Sequence, residues 1–530
     1  MNKSYDIAIA GSGFAGSLLA MIARRLGRSV VLLEKGAHPR VVIGESSTPL
    51  SNLLLEDIAS RYDLPALAPL SKWGSWQRVY PEIACGLKRG FTFHHHVLGC
   101  PLPPSPDRED QLLVAASPHD AIADTHWYRA DFDHFLVKEA EKLGAEYLDR
   151  VMLDRLIDNG QSVTLEGHRN GTPIGIEAKF VVDATGPRGF LHRALQLSEL
   201  ELPGLPRTQA LFNHFTGVKR LRNSSASRTS EIPPYPIDDA AVHHVFDGGW
   251  VWVLQFNNGV TSAGVAATDE VADHLKFTDS ASAWGRLLQQ IPALQEQFEN
   301  AQPQRPFTHI PGLSFRSSAI AGARWALLPS AAGFVDPLLS TGFPLTLLGV
   351  SRIAKIIERN WDAPQFASSL AIYAEKTDTE LVAASRLIGA LYANMGKFSI
   401  FVELTLLYFA AVSYSEAARR LSKAHLASSF LMSDDSRFGP SCADICKRAR
   451  HLRSAEESTK LISDIQRLIE PINVAGLGNP ARRNWYPVDA EDMIRSAHKL
   501  GASREDIVQL LQRCGFEANA ESEPLSVSQD

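Results

Sequence analysis

The sequence has few cysteines, and their spacing forms no recognisable framework. Only five of its 530 residues are cysteines, without a Cys-x-x-Cys pair among them: Cys85, Cys100, Cys442, Cys446 and Cys514. An odd, scattered set fits the reduced thiols of a cytoplasm better than a set of disulfides. Cys442 and Cys446 lie four apart, but they have no His or Cys partner nearby and make a poor zinc site. We therefore expect a cytoplasmic protein with no bound metal.

An excess of basic residues and a long charge-free apolar run are also missing. Lysine and arginine number 53 against 59 acidic residues, so the formal net charge of −6 does not point to nucleic acid. The apolar run from Phe398 to Tyr414 is shorter than a typical membrane span and contains Glu403. It predicts a buried or partner-facing helix and no membrane span. Because strand-like sequence begins within a few residues of Met1, we expect no signal peptide.

The stretch from Tyr5 to Lys35 carries the strongest positive signal. An apolar run from Ile7 to Ala10 predicts a buried parallel strand. It leads into the glycine-rich turn GSGFAG and then into an apolar-periodic helix. A second apolar run, Val30 to Leu33, ends on Glu34. This order of strand, glycines, helix, strand and acid predicts a dinucleotide-binding unit.

Each glycine in that turn has a structural reason. Gly11 permits the tight turn, Gly13 lets the backbone approach a pyrophosphate, and Gly16 lets helix and strand pack closely. The free N–H groups at the start of the helix would face the phosphates. Glu34 lies where a carboxylate would accept a hydrogen bond from a ribose hydroxyl.

Three later turns could also bring backbone donors to a cofactor. The Gly44–Pro49 loop precedes a helical pattern, and Asp183-Ala184-Thr185-Gly186-Pro187 follows a buried strand. Asp336-Pro337 breaks the chain before Ser340-Thr341-Gly342 starts another helix, whose free amides could hold negative charge. Arg129, just ahead of an amphipathic helix, is a candidate pyrophosphate partner. Taken alone, the first loop could equally be an N-cap, and Arg129 a surface arginine.

The middle of the chain reads as strands. The alternation in GLKRGFTFHHH predicts a two-faced strand, and Lys88 lies just before it. Considered alone, Lys88 would be a solvated surface charge. From Thr208 to about Ile310 the alternation predicts an antiparallel sheet in which Trp250 and Trp252 point to one face. Paired tryptophans are more often part of a core or a wall than catalysts. Pro101 to Pro118, rich in proline and charge, predicts an exposed connection.

Taken together, these stretches resemble the flavin-dependent halogenases, a branch of the aromatic-hydroxylase-type flavoproteins. The resemblance covers roughly residues 5 to 355. It rests on GSGFAG with Glu34, on GESSTP, on LKRGFTF, on DATG, on WVWV and on DPLLSTG. The motifs occur in the family's order, which makes the flavoprotein assignment very specific. The halogenase assignment rests on fewer residues.

The resemblance implies an α/β fold with three parts. These are a Rossmann-like FAD-binding fold, an antiparallel β-sheet layer on the substrate side and a mostly helical C-terminal region. The expected boundaries are 1–205 with 310–355 for the FAD-binding domain, 206–309 for the sheet and 356–518 for the helical region. Residues 519–530 are expected to be a disordered tail.

The resemblance also implies cofactor, co-substrate and catalyst. In the family, FADH2 reacts with dioxygen, and chloride or bromide is oxidised to hypohalous acid. The acid passes through a tunnel to a lysine, matched here by Lys88, which orients it or forms a chloramine. The halide is expected against the amides of Thr341 and Gly342, and Trp250 and Trp252 would wall the flavin from the substrate.

The candidate flavin contacts match the family's motifs along the whole N-terminal part. They are, in chain order, Gly11, Gly13, Phe14, Ala15, Gly16, Glu34, Lys35, Ser46, Ser47, Arg129, Val151, Asp183, Gly186, Asp336, Gly342 and Phe343. No second dinucleotide fingerprint follows a strand elsewhere. Reduced flavin is therefore expected from a separate flavin reductase as partner.

Two departures from the family pattern affect the expected reaction. The family's WxWxIP motif is present as WVWVLQ, so its proline is replaced by Gln255. Free-tryptophan halogenases carry a glutamate directly before S-T-G, and this chain has Leu339. The expected substrate is therefore an electron-rich aromatic other than free tryptophan: a phenol, a pyrrole, or an aromatic bound to a carrier or peptide.

Three hypotheses for function stay open at this point. The first is a two-component FADH2-dependent halogenase that uses Lys88. The second is a flavin-dependent aromatic monooxygenase that inserts oxygen directly from the C4a-hydroperoxide, for which the lost proline argues. The third is a flavin-binding scaffold without turnover, with the Phe398 to Tyr414 helix as its docking surface.

Overall fold

The computed structural model describes residues 3–100, 107–221 and 231–516. One sheet carries the N-terminal unit and has the strand order β7-β2-β1-β10-β9-β8, with β18 pairing to the second half of β10. Its strands are β1 (Ser4–Ala10), β2 (Val30–Leu33), β7 (Glu146–Leu148), β8 (Val151–Asp158), β9 (Val163–Arg169), β10 (Thr172–Asp183) and β18 (Trp325–Leu327). Strands β7, β2, β1, β10 and β18 run parallel, whereas β9 pairs antiparallel with both β10 and β8.

Strand β1 is the centre of this sheet. Ile7 and Ile9 are fully buried, because β1 has parallel neighbours on both edges and helices on its faces. Helix α1 (Phe14–Arg25) follows directly and buries ten of its twelve residues. The Rossmann-like fold predicted from the glycine-rich turn is confirmed.

A second sheet of nine strands lies beside the first. Its order is β15-β11-β14-β13-β12-β4-β5-β20, with β16 pairing to β11. The strands are β4 (Gly90–His95), β5 (Gln111–Ala115), β11 (Thr208–Thr216), β12 (Ala241–Phe246), β13 (Gly249–Gln255), β14 (Thr261–Thr268), β15 (Gln302–Pro303), β16 (Thr308–Ile310) and β20 (Trp485–Tyr486). Most pairs are antiparallel, as predicted, but β12 pairs in parallel with β4, and β20 with β5.

Two features of this second sheet differ from the sequence prediction. The prediction of an exposed connection from Pro101 to Pro118 is wrong over Gln111–Ala115, because this stretch forms the buried strand β5 against β4. Residues 269–297, within the predicted run of strands, form three short helices that cover one face of the sheet: α6 (Asp269–Leu275), α7 (Ala281–Gln290) and α8 (Pro292–Gln297).

Two small ladders join the parts. Strand β3 (Cys85–Lys88) pairs antiparallel with β6 (Asp124–Trp127), which sets Lys88 opposite Asp124. Strand β17 (Phe315–Arg316) pairs with β19 (Gly333–Phe334). The first ladder brings a predicted site residue and a carboxylate into direct register.

The remaining helices cover the sheets and build the C-terminal region. They are α2 (Pro49–Arg61), α3 (Trp73–Val79), α4 (Arg129–Lys142), α5 (Phe190–Ala194), α9 (Pro329–Ala332), α10 (Gly342–Asn360), α11 (Phe366–Tyr392), α12 (Phe398–Arg420), α13 (Phe438–Ala449), α14 (Ala455–Ile469), α15 (Ala490–Arg495) and α16 (Arg504–Arg513). The mostly helical C-terminal region is confirmed. The tail predicted over 519–530 lies outside the described residues.

Helix α12 contains the apolar run noted in the sequence. By length and composition it is the one described helix that could cross a membrane, yet 78% of its most apolar window is buried inside the protein. Its Glu403 is half-buried and accepts a 3.1 Å hydrogen bond from Gln466 Nε2. The prediction of a buried helix is confirmed.

The tight glycine-rich turn gives a stability prediction. A Cβ on Gly16 would lie 1.9 Å from the Gly11 carbonyl oxygen, whereas a Cβ on Gly285 in α7 would meet nothing within 4 Å. We expect Gly16→Ala to lower the free energy of unfolding by about 3 kcal/mol or more. Gly285→Ala should raise it by about 0.5–1 kcal/mol, because alanine is the better helix former. Urea unfolding of both variants measures this, and a Gly16→Ala protein as stable as wild type would contradict the packing.

Candidate active site

A cavity of about 270 Å³ lies between the two sheets, at the carboxyl ends of β1 and β10. Crevices at this edge of a parallel sheet are where such folds bind nucleotides. The structure brings twelve of the predicted site residues together on its walls: Gly13, Phe14, Ala15, Ser46, Arg129, Gly186, Trp250, Trp252, Asp336, Thr341, Gly342 and Phe343. Their roles in binding stay predictions.

The other predicted contacts lie behind these walls or beyond them. Gly11 and Gly16 pack the turn against Ala184 and against each other. Ser47 is buried and bonds its hydroxyl to the Thr125 carbonyl at 2.7 Å. Lys35 is exposed to solvent.

Glu34 is held at the end of β2 by several donors. Its Oε2 accepts hydrogen bonds from the Ser12 backbone N at 3.2 Å and the Ser12 hydroxyl at 2.8 Å, and its Oε1 accepts from Gly36 N at 2.9 Å. Burial raises the pKa of Glu34, but the nearby Arg40 guanidinium and these donors outweigh burial and leave the pKa lowered. The carboxylate is therefore ionised and fixed. The backbone N of Val151 donates to the Glu34 carbonyl at 2.8 Å, which places Val151 beside it.

Arg129 places a fixed guanidinium group at the wall of the cavity. Its guanidinium makes a two-pronged ion pair with Asp133, with both N–O distances 2.8 Å, and donates to the Gly44 carbonyl at 2.9 Å. A Cβ on Gly13 would lie 3.4 Å from Arg129 Nη2 and 3.5 Å from Arg40 Nη2. The missing side chain at Gly13 thus leaves room beside two arginines, as a pyrophosphate requires.

Asp183 has a structural part in the second turn. Its Oδ1 accepts from the Thr185 backbone and hydroxyl at 2.8 and 2.6 Å, and its Oδ2 accepts from Leu191 N at 2.6 Å. Burial raises the pKa of Asp183, and these hydrogen bonds oppose the rise. The carboxylate holds the turn in which Gly186 faces the cavity.

These residues fit an FAD. Glu34 lies where a ribose hydroxyl acceptor is predicted, Gly13 and Arg129 lie where a pyrophosphate site is predicted, and a broad, largely apolar chamber adjoins Gly13 and Arg129. Gly186 and Gly342 line the chamber, and a Cβ on either would meet nothing within 4 Å. The donors and the open space match a dinucleotide with a flat ring system.

A hydrogen-bonded network closes the chamber next to the tryptophan pair. Asp336 Oδ2 accepts from the Tyr392 hydroxyl at 2.9 Å, and Oδ1 accepts from Leu338 N at 2.9 Å and Trp250 Nε1 at 3.3 Å. The ring centroids of Trp250 and Trp252 lie 5.7 Å apart. Burial raises the pKa of Asp336 to about 7, and the three donors reduce the rise.

The S-T-G turn has an unusual backbone. Leu339 and Ser340 both adopt left-handed conformations, with φ of 61° and 56°. Conformations of this kind in residues other than glycine persist where the surroundings hold them. The Tyr408 hydroxyl on α12 donates to the Leu339 carbonyl at 2.8 Å, so the C-terminal region holds this turn.

Lys88 is completely buried, and its Nζ contacts one wall residue of this cavity and one of a second cavity. Its Nζ donates to Ser46 Oγ at 2.9 Å and to the Ser47 carbonyl, and it lies 3.7 Å from the centroid of the Phe91 ring. Ser46 lines the first cavity and Phe91 the second. Burial lowers the pKa of Lys88, and the carboxylate of Asp124 opposes this.

The second cavity, of about 190 Å³, is walled mainly by the C-terminal region. Tyr408 and Phe409 of α12 face Asn52, Phe91 and Asp124 across it. Sequence reasoning assigned none of these to a site, although Phe91 lay in a predicted strand and Tyr408 and Phe409 lay in the predicted apolar helix. No local motif marks them, because they meet only through the β3–β6 ladder and the docking of α12.

Histidines cluster near the second sheet without forming a metal site. His96 Nε2 lies 2.9 Å from His244 Nδ1, and the His94 ring stacks on the His244 ring. Burial lowers the pKa of all three imidazoles. Across residues 3–100, 107–221 and 231–516, no group of three or more His, Cys, Asp or Glu side chains is placed to hold a metal ion.

Comparison with known proteins assigns the family. The tryptophan halogenase family model matches residues 120–397, just over half of the chain. The chain therefore belongs to the tryptophan halogenase family, and the resemblance predicted from its motifs is confirmed. Among solved structures it is similar to the halogenase PltM in complex with phloroglucinol and FAD, with a TM-score of 0.80 and 25% identity, covering 90% of this chain and 99% of that one.

Two relatives that are similar in sequence are also named as halogenases. The chain is 29% identical to tetracycline 7-halogenase of Kitasatospora aureofaciens over 65% of its length. It is 27% identical to the monodechloroaminopyrrolnitrin halogenase PrnC of Pseudomonas fluorescens over 72% of its length. The matches cover 62% and 66% of these relatives, less than two thirds of either.

The raised pKa of Asp336 predicts a pH-dependent stability. A folded-state pKa near 7, above the ordinary 3.8, means that the protonated carboxyl stabilises the fold, and that this contribution is lost as the pH rises through 7. From pH 5 to pH 8, the free energy of unfolding of wild type should fall by about 2–3 kcal/mol relative to that of Asp336→Asn. Urea unfolding of both proteins at each pH measures this loss.

Asp362→Asn is the matched control, because the Asp362 side chain is 83% exposed. The difference in the free energy of unfolding between wild type and Asp362→Asn should not change over the same pH range. If the difference between wild type and Asp336→Asn is also constant, the raised pKa of Asp336 is contradicted.

Proposed function

We propose that this protein is an FADH2- and dioxygen-dependent halogenase that acts on an electron-rich aromatic through Lys88. The observation that carries the proposal is that the completely buried Lys88 contacts a wall residue of each of two cavities. One cavity has the walls expected of a flavin site, and the other has a largely apolar and aromatic wall with several polar side chains. A lysine between them can receive an oxidant from one side and present it to the other.

The walls of the flavin cavity support the separation of the two chambers. Trp250 and Trp252 stand side by side on it, as a barrier between ring and organic substrate requires. Thr341 and Gly342 line the same cavity at the start of α10, where backbone amides favour an anion. We assign chloride or bromide to this turn.

Bound FADH2 supplies the reducing equivalents with which dioxygen and halide give hypohalous acid. Lys88 then acts at the oxygen of that acid. As an ammonium it donates a hydrogen bond that polarises the oxygen–halogen bond, and as an amine it can take the halogen on Nζ. Because burial lowers the pKa of Lys88, both forms are accessible nearer to neutral pH than for an exposed lysine.

Leu339 argues against free tryptophan as the substrate. It occupies the position before S-T-G where free-tryptophan halogenases carry a glutamate, and it is fully buried. We therefore assign a phenol, a pyrrole, or an aromatic bound to a carrier or peptide. The single dinucleotide fingerprint supports a separate flavin reductase as partner, and the five free cysteines support a cytoplasmic location.

Direct hydroxylation is the second candidate, because Gln255 replaces the proline of the family's tryptophan motif. Gln255 ends β13 opposite Thr261, and its carbonyl packs against Gly86 of β3. The replacement leaves both tryptophans on the cavity wall. A hydroxylase would have no need of a buried lysine between two chambers, so we rank this candidate second.

Replacing Lys88 tests the proposal. Lys88→Met keeps the apolar bulk but removes the amine, and it should lower halogenated product by at least about 100-fold. Oxidation of FADH2 should continue. Product is measured by mass spectrometry with FAD, a flavin reductase, NADH, chloride or bromide, and a panel of one-ring phenols and pyrroles.

Lys138→Met is the matched control, because Lys138 is exposed and pairs only with Glu141 on the surface of α4. It should keep wild-type turnover. If oxygenated product forms without halide and still forms in Lys88→Met, the protein is a hydroxylase and the halogenase proposal is wrong. If FADH2 binds but is never oxidised in air, the flavin-binding scaffold is the only hypothesis left.

A further inference from the structure

The second cavity contains two buried polar side chains with unused acceptor atoms. Asn52 Nδ2 donates to Asp124 Oδ1 at 2.7 Å, and both residues line the cavity. Within the described part of the chain, the other oxygens, Asp124 Oδ2 and Asn52 Oδ1, have no hydrogen-bond partner. Asp124 is only 6% exposed and Asn52 3%. Buried acceptors of this kind are costly unless a ligand donates to them.

The remaining charges of the cavity are already paired. Arg420 Nε bonds Glu416 at 2.8 Å, Lys72 Nζ lies 3.6 Å from Glu56, and Asp489 Oδ2 lies 3.0 Å from Arg482 Nη2. A ligand with a permanent charge would find no unpaired opposite charge among these groups. The rest of the wall is largely apolar and aromatic, including Phe91, Tyr408 and Phe409. The cavity therefore fits an uncharged aromatic ring that carries a hydrogen-bond donor.

Asp124 and Lys88 face each other across the β3–β6 ladder. A donor on the ring that reaches Asp124 would bring neighbouring ring carbons toward the amine that handles the halogen. Ring carbons next to a hydroxyl become strongly nucleophilic when that hydroxyl loses its proton. A carboxylate beside the relay lysine is therefore placed to activate the substrate as the lysine delivers the oxidant.

We propose that Asp124 is the base that accepts the hydroxyl proton of a phenolic substrate, and that Asn52 positions its carboxylate. The proposal rests on the proposed halogenase function and narrows its substrate class to phenols. Asp124 would also give the site a carboxylate. The S-T-G turn does not supply one, because Leu339 stands where free-tryptophan halogenases have a glutamate.

The step balances with hypohalous acid as the oxidant. A ring carbon bonds the halogen while the oxygen–halogen bond breaks, and its electron pair goes to the oxygen. That oxygen takes a proton from Lys88 and leaves as water, while the phenolic proton passes to Asp124. Loss of the ring C–H proton restores the lysine ammonium, and Asp124 returns its proton to the phenol oxygen. The ring is oxidised by two electrons and the halogen is reduced by two.

The electrostatics of the site support a base of this kind. Burial raises the pKa of Asp124 toward neutral, and Glu416 of α12 adds to the rise. Lys88 of β3, the Asn52 amide and Arg420 of α12 oppose it. A base is most effective when its pKa is near the working pH.

The test compares a phenol with its methyl ether. The probes are phloroglucinol and 1,3,5-trimethoxybenzene, and the readout is kcat/KM for halogenation. Wild type should prefer the phenol by at least about 100-fold, and Asp124→Asn should abolish that preference by slowing the phenol alone. Because an electrostatic effect on Lys88 would slow both probes equally, it cannot mimic this result.

Two further variants guard against misfolding. Asn52→Ala should lower kcat/KM for the phenol about tenfold and leave the ether unchanged, since Asp124 loses its donor. Asp120→Asn removes an exposed carboxylate that pairs with Arg89, and should behave as wild type. A preference for the phenol that persists in Asp124→Asn, or a wild type that shows no such preference, would overturn the proposal.

The failure of this proposal and of the halogenase function are separable. Hypohalous acid released into solution is trapped with monochlorodimedone, which needs no substrate site. If wild type and Asp124→Asn both halogenate the trap while the phenol preference fails to depend on Asp124, only the base assignment falls. If wild type never halogenates the trap or any aromatic, the halogenase function itself falls.

Discussion

The burial of one ammonium group is the constraint on which the rest of this structure depends. Removing a lysine from water is costly unless its protons find acceptors. Lys88 meets this requirement with Ser46 Oγ, the Ser47 carbonyl and the Phe91 ring, beside the carboxylate of Asp124. These partners come from the first loop after β2, from β4 and from β6. The folding of three separate segments is therefore needed before the amine can be buried at all.

The two sheets contribute in different ways to the two chambers near that amine. The parallel sheet offers glycine turns and arginines at the ends of its strands, where a dinucleotide fits. The second sheet and α12 enclose an apolar chamber with a few polar atoms. The β3–β6 ladder carries Lys88, which contacts residues of both chambers. Positioning by strands keeps such a group more exactly placed than a loop would.

Local sequence patterns predicted the first chamber well and the second poorly. The glycine-rich turn specifies its own conformation within six residues, so Gly11, Gly13 and the strand before them could be recognised directly. Strand β5 could not, because a stretch flanked by proline and charge is stabilised as a strand only by its pairing with β4 and β20. No local signal assigns Asp124 or Tyr408 to a site, since their neighbours come from α2, β3 and the S-T-G turn, far away in the chain. Lys88 was found by resemblance to a family, not by its spacing.

The contact between Tyr408 and the S-T-G turn links the two chambers mechanically. Tyr408 lines the second cavity, and its hydroxyl donates to the Leu339 carbonyl in a turn with two successive left-handed residues. Such a turn has little freedom to relax unless this support moves. A ligand that displaces the Tyr408 ring would therefore also free the start of α10, where we propose that the halide binds. The proposed substrate pocket and the proposed halide site are in this way coupled mechanically through α12.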